Sequence, residues 1–152
     1  MSRQFQHIVR IVDRDLDGSL KVAYALTGLK GIGINLAQMI LKKAGIDPDM
    51  RLGFLTESEI ESLSDVIQNP SKYDIPEWAL NRRKDLETGK NLHLLGADLE
   101  LRVKSDIDLM KRIKCWKGVR HALGLRVRGQ RTKTTGRTGK AVGVRRRRAG
   151  RG

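Results

Sequence analysis

Thr27-Gly28-Leu29-Lys30-Gly31-Ile32-Gly33-Ile34-Asn35-Leu36-Ala37 is the stretch on which the fold of this chain turns. Before it, Val22, Ala23, Ala25 and Leu26 make a short run of helical pattern. After it, Ile34, Ala37, Ile40 and Leu41 recur at helical spacing as far as Lys43, and Gly45 ends the run. Two helices are therefore predicted, joined through glycines at 31 and 33. Glycines one residue apart let the backbone turn tightly and approach a ligand closely. The second helix starts at once, so its unpaired N–H groups and positive dipole end face outward, which suits a phosphate.

These features look like a helix-hairpin-helix motif, which grips nucleic-acid backbone without reading bases; an ordinary helix–helix turn is the plainer alternative. Lys30, Gly31, Gly33 and Asn35 are the candidate contacts. A nucleotide-binding loop does not fit. No Gly-Lys-Ser/Thr follows, and Gly31-x-Gly33-x-x-Leu36 lacks the third glycine of the dinucleotide fingerprint.

Around this centre the remaining elements are helical with minor β. Phe5–Val12 is rich in β-branched residues and is followed by Asp17-Gly18, which predicts a small strand or hairpin arm. Thr56-Glu57-Ser58-Glu59 is a capping-box signature for a helix to about Ile67, with Ile60, Leu63 and Ile67 on one stripe and Pro70 as its stop. Pro76 is set to open a further helix through Trp78, Leu80 and Arg83, closed by Gly89. Leu99, Leu101 and Val103 alternate with Glu100, Arg102 and Lys104, the pattern of a half-buried strand. Ser105 and Asp108 are placed to cap another helix that turns Ile107, Met110 and Ile113 inward. Gly118 and Gly124 punctuate a short basic helix between Trp116 and Leu123. The expected fold is thus mostly α: a body over residues 1–125, with the hairpin near 22–44, a helical pair near 56–89 and a basic helical region at 105–125. A long basic extended tail over 126–152 follows.

Charge divides the chain unevenly. Of 152 residues, 31 are Lys or Arg and 17 are Asp or Glu, a formal charge of +14, and no acid follows Asp108. A nearly neutral front half can fold alone; the back half is a polycation that calls for a polyanion. In Lys111–Arg126 almost every polar position is cationic, whereas an ordinary solvated face mixes signs. Lys114, Lys117, Arg120 and His121 are assigned to phosphate there. Beyond Leu125 only Val127, Ala141, Val142, Val144 and Ala149 are apolar. Such a segment cannot bury enough surface to offset its ordering entropy and is expected to be disordered when free. Arg126, Arg128, Gly129, Gln130, Arg131, Thr132, Lys133, Arg137 and Lys140 combine close backbone approach, phosphate neutralisation and reach to 2′-hydroxyls. A solvated tail or a basic targeting signal is the alternative, and the Arg145–Arg148 run by itself does not separate them.

Other classes fall away. No stretch approaches the roughly 18–20 apolar residues of a membrane span, and the start Met1–His7 has no signal-peptide core, so a cytoplasmic location is expected. The single cysteine, Cys115, permits no internal disulfide or Cys-x-x-Cys site and reads as a small buried residue rather than a nucleophile. His7, His93 and His121 are too dispersed to suggest a zinc motif; no metal or cofactor is expected. With aromatics limited to Phe5, Tyr24, Phe54, Tyr73, Trp78 and Trp116, bases stacking on an aromatic sheet are not the expected mode of recognition.

Three stretches carry a resemblance: Ala25–Gly33, Trp116–Leu125 and, above all, Val127-Arg128-Gly129-Gln130-Arg131-Thr132-Lys133-Thr134-Thr135-Gly136-Arg137-Thr138. They resemble the family of small-subunit ribosomal protein thirteen. Ile75–Leu86 is similar to its archaeal and eukaryotic branch rather than the bacterial one. The resemblance implies a helix–two-turns–helix body, a protruding helical pair and an extended tail. It implies a structural, non-enzymatic role in the head of the small ribosomal subunit, bound to its ribosomal RNA and beside small-subunit protein nineteen. It further implies intersubunit bridges to large-subunit RNA and large-subunit protein five, with the mixed-charge segment Thr56–Gly89 as the candidate for protein contacts. The tail, with Arg145, Arg146, Arg147, Arg148 and Arg151, is implied to run towards peptidyl-site transfer RNA.

Two rivals share the hairpin. A DNA-repair glycosylase or lyase needs a nucleophile and an acid beside the gripped strand, yet the only acids after Glu100 are Asp106 and Asp108, both read as helix-start residues. A free-standing architectural DNA binder shares the charge and is separable only by its preference between duplex DNA and ribosomal RNA.

Overall fold

In the computed structural model, which describes residues 5–136, strands β1 (Ile8–Ile11) and β2 (Arg14–Asp17) form an antiparallel hairpin. Val9 lies opposite Leu16 and Ile11 opposite Arg14, so the period of two turns Val9, Ile11 and Leu16 into the core. The strands are joined at Val12–Asp13, and the second strand ends at Asp17-Gly18. Helices α1 (Val22–Leu26) and α2 (Ile34–Ala44) follow, with Gly45 stopping α2.

Helix α3 (Glu57–Gln68) starts with the predicted capping box: the Glu59 N–H donates to the Thr56 hydroxyl, and the Thr56 N–H donates to Glu59 Oε2 at 2.8 Å. Leu63, Val66 and Ile67 are buried and Ile60 is half-buried. They close one hydrophobic core over the hairpin, α1 and α2, with Leu26, Ile40, Leu41 and Leu52 at its centre. Each such side chain contributes about 1.5–3 kcal/mol relative to exposure. Pro70 opens a 3₁₀ turn (Pro70–Tyr73) and so ends α3 where expected.

Four expectations are corrected. Pro76 opens only one 3₁₀ turn, Glu77–Ala79, so the second member of the helical pair is absent. Over residues 80–95 polar side chains take the backbone for themselves. Asn81 brackets Leu94, donating from Nδ2 to its carbonyl (2.6 Å) and accepting its N–H at Oδ1 (2.9 Å). The Asp85 carboxylate accepts from the Thr88 N–H, and Asn91 Oδ1 from the Lys84 N–H. Asn and Asp compete with helix in this way. Residues 99–103 are not a strand: helix α4 runs from Gly96 to Arg112. Leu101 is 60% exposed while Leu99 and Arg102, three apart, share the half-buried side, which is helical and not alternating placement. Three alternations were too few to separate the two periods. Ser105 and Asp108 accordingly lie inside α4 rather than at a helix start. Ile107 and Met110 are half-buried as expected, but Ile113 is exposed.

The chain divides into two compact units, Met1–Val103 and Lys104–Gly152. In the second, the end of α4 is followed by helix α5 (Trp116–Ala122), with Gly124 beyond it. Cys115 caps α5: its Sγ accepts from the Gly118 N–H and its thiol donates to the Met110 carbonyl, both at 3.4 Å. It is half-buried, as a small structural residue.

Candidate nucleic-acid interface

The hairpin connection separates its two glycines by role. Gly31 has φ +110°, and a Cβ there would lie 2.6 Å from the Leu94 carbonyl oxygen and 3.3 Å from Asn81 Nδ2. Its close approach is therefore to the chain's own 81–95 segment. The same segment is tied in by the Gly96 N–H, which donates to the Lys30 carbonyl at 2.9 Å. Lys30 Nζ is itself ion-paired with Glu100. Gly33 differs: it is the N-cap of α2, its φ of −101° is ordinary, and nothing lies within 4 Å of a Cβ placed there. Gly33, Ile34 and Asn35 are exposed, with no acid in the first turn of α2. The exposed end of the hairpin connection is thus at Gly33–Asn35. Beside it Asn35, Gln38, Met39 and Lys42 line a shallow groove of about 250 Å³ with Trp78, which the Pro76 turn delivers there.

The 81–95 segment is held from within by Asp85, the one buried charged side chain in the described residues. Arg82 Nε donates to Oδ1 at 2.6 Å, and Arg102 Nη2 to both carboxylate oxygens at 2.9 and 3.0 Å; the Thr88 hydroxyl donates to Oδ2. These donors hold the Asp85 carboxyl well below the usual carboxylate range, Arg82 foremost. Arg102 also pairs with Glu87 at 2.8 Å. Arg82 and Arg102 are thereby spent on structure. His93 packs inside this segment, and burial pushes its imidazole down. Among the described residues no group of three or more His, Cys, Asp or Glu is placed to hold a metal ion.

The second unit presents the cationic surface. Lys114 and Lys117 are exposed, and Arg120 and His121, in the last turn of α5, are half-buried. Arg120 Nε donates to the Arg126 carbonyl at 2.6 Å, and its guanidinium lies 5.6 Å from the Trp116 ring centroid. Beyond α5 the chain is irregular and exposed through Arg126, Arg128, Gly129, Gln130, Arg131, Thr132 and Lys133, with Val127 half-buried. The Arg128 N–H donates to Gln130 Oε1 at 3.0 Å, and the Thr135 hydroxyl donates to the Arg131 carbonyl. Arg137, Lys140, Arg145, Arg146, Arg147, Arg148 and Arg151, and with them most of the expected tail, lie outside the described residues. The sequence reading did not select Trp116, although its place between Lys114 and Lys117 was a visible signal.

A family model described as ribosomal protein S13/S18 matches residues 10–138. The chain belongs to the ribosomal protein S13/S18 family. The match spans all three stretches on which the resemblance rested. Among its relatives, the small ribosomal subunit protein uS13 of Staphylothermus marinus is 58% identical over 147 residues, 97% of each chain. That of Pyrobaculum islandicum is 55% identical over 100% of this chain and 99% of its own. That of Methanothermobacter thermautotrophicus is 49% identical over 96% and 98%. Such relatives agree with the resemblance of Ile75–Leu86 to the archaeal and eukaryotic branch. No helix among the described residues is long and apolar enough to cross a membrane.

Proposed function

We propose that this protein is a structural, non-catalytic component of the small ribosomal subunit, in its head, where it holds ribosomal RNA through two surfaces. The observation that carries this is the run from Lys111 to Lys133, exposed over most of its length, in which every charged side chain is basic. A surface of one sign at this density is self-repelling unless phosphate neutralises it. Lys114, Lys117, Arg120, His121, Arg126, Arg128, Arg131 and Lys133 engage the backbone. Gly129, Gln130 and Thr132 supply close approach and hydrogen bonds to phosphate or sugar. The Gly33–Asn35 end of α2 supplies a second contact; Lys30 and Gly31 support it by positioning the connection. Arg137, Lys140 and the arginines from 145 to 151 extend the first surface along the tail, towards peptidyl-site transfer RNA.

Protein contacts go to the other kind of surface. Residues 56–89 expose Glu57, Glu61, Asp65, Asp74, Glu77 and Glu87 together with Lys72, Arg83 and Lys84, a face of mixed sign that suits a protein partner better than phosphate. We assign to them the bridge to large-subunit protein five, and place small-subunit protein nineteen and large-subunit RNA among the neighbours. The test is co-sedimentation with small subunits through a high-salt gradient. Retention with the particle, and preference for small-subunit RNA over duplex DNA at physiological salt, are expected. Equal affinity for the DNA overturns the assignment in favour of an architectural DNA binder.

A further inference from the structure

We propose that Trp116 is a stacking platform for an unpaired RNA base, with Arg120 backing the indole. The proposal deepens the RNA-binding function above and rests on it. Trp116 is 72% exposed, the most open aromatic ring among the described residues. The Arg120 guanidinium lies over it and is held by the bond from Nε to the Arg126 carbonyl, so one side of the indole is backed and polarised. At 72% exposure the residue is otherwise largely open to solvent.

Ile113 and Leu123, each 67% exposed, are further bare apolar side chains in the same unit. Apolar surface left bare calls for a partner, and the question is what covers the indole. The charges answer it. Lys111, Arg112, Lys114, Lys117, Arg120 and Arg126 are the charged side chains from 111 to 126, with no acid among them. The occupant is therefore flat, apolar on its face and joined to negative charge. An unpaired nucleotide has all three properties. A paired base does not, because its faces are already stacked in the duplex. Every base has a π-face, so the platform tolerates any of the four, and its loss is expected to cost about 5- to 150-fold in affinity.

The test uses the full chain carrying Trp78→Phe, in which Trp116 is the sole tryptophan. It is titrated with small-subunit ribosomal RNA, with single-stranded oligoadenylate and with a blunt RNA duplex of equal length. Quenching of Trp116 fluorescence is expected with the first two and not with the duplex. Trp116→Leu, which keeps apolar bulk, is expected to lose affinity within the stated range at an unchanged salt slope; Trp116→Phe retains most of it. Lys117→Ala gives the opposite signature, a shallower salt slope with quenching preserved. Unmoved fluorescence, wild-type affinity of Trp116→Leu, or quenching that comes only when another ribosomal protein is added each overturns the proposal, the last by giving the patch to a protein partner. Absence of any salt-dependent RNA binding by the unsubstituted chain overturns the function itself, whereas normal binding with an unquenched Trp116 removes the platform alone.

Discussion

Replacing Gly31 or Gly33 with alanine separates the two jobs of the hairpin connection. At Gly31 the backbone has φ +110°, outside the region a side chain tolerates, which costs about 1–3 kcal/mol. The added Cβ meets the Leu94 carbonyl oxygen at 2.6 Å, and overpacking of this kind costs about another 1–3 kcal/mol. Relief is not cheap, because the same carbonyl accepts from Asn81 Nδ2; moving it away breaks the bracket that holds the 81–95 segment. The expected loss is about 2–6 kcal/mol, a large part of the roughly 5–15 kcal/mol of a typical domain. At Gly33 the φ of −101° is ordinary and nothing lies within 4 Å. A poorer N-cap and a less flexible unfolded chain oppose each other there, each by under about 1 kcal/mol. Urea unfolding followed by far-ultraviolet circular dichroism checks the difference. With a slope of about 1–3 kcal/mol per molar, Gly31→Ala is expected to lower the midpoint by roughly 0.7 M or more and Gly33→Ala to leave it nearly unchanged. Coincident midpoints would refute the reasoning. A bulkier Gly33→Leu is then expected to stay folded while weakening RNA binding, if the Gly33–Asn35 end receives phosphate as proposed.

Removal of residues 126–152 is expected to leave the body folded, because the buried hydrophobic residues among those described lie between Val9 and Leu80. RNA affinity and its salt dependence should both collapse: with about eight tail cations engaged, a threefold rise in salt weakens the full chain by about three orders of magnitude, and a truncated chain with the same slope contradicts this. Acid sensitivity follows from Asp85, whose carboxyl is held below its ordinary value of 3.8. Its contribution is fully present above that value and is lost as pH falls through it towards the folded-state value. Unfolding midpoints compared between about pH 5 and pH 2 should therefore fall more steeply for the wild type than for Asp85→Asn, and parallel curves exclude the role.

Where a signal was repeated, the sequence was enough. The stripe of α2 is marked by four apolar positions and a terminal glycine, and α3 by a capping box at one end and a proline at the other. The cationic surface was legible because sign is a property of composition and does not depend on fold. The failures share a cause. From Ile75 to Val103 the local signals were single: one proline, or three alternating residues. Tertiary hydrogen bonds decided the outcome, with Asn81 and Asp85 withdrawing the backbone from helix and Leu99 and Arg102 setting the face of α4. No one-dimensional pattern shows that Gly31 is pressed against Leu94, or that Glu100 occupies Lys30; both partners lie more than sixty residues away along the chain. Trp116 was visible but unweighted, since its value lies in exposure and in the guanidinium laid over it.

The seat of α5 is made almost wholly of main chain. A Cβ on Gly118 would lie 2.1 Å from the Met110 carbonyl oxygen, and Cys115 clasps the same carbonyl on one side and the Gly118 N–H on the other. Position is thus set by one glycine and one thiol, while Trp116, Lys117, Arg120 and His121 take no part in the clasp. Alterations at the exposed Trp116 and Lys117 are free to retune what is gripped, in strength or in chemistry, without loosening the clasp of the helix that presents them.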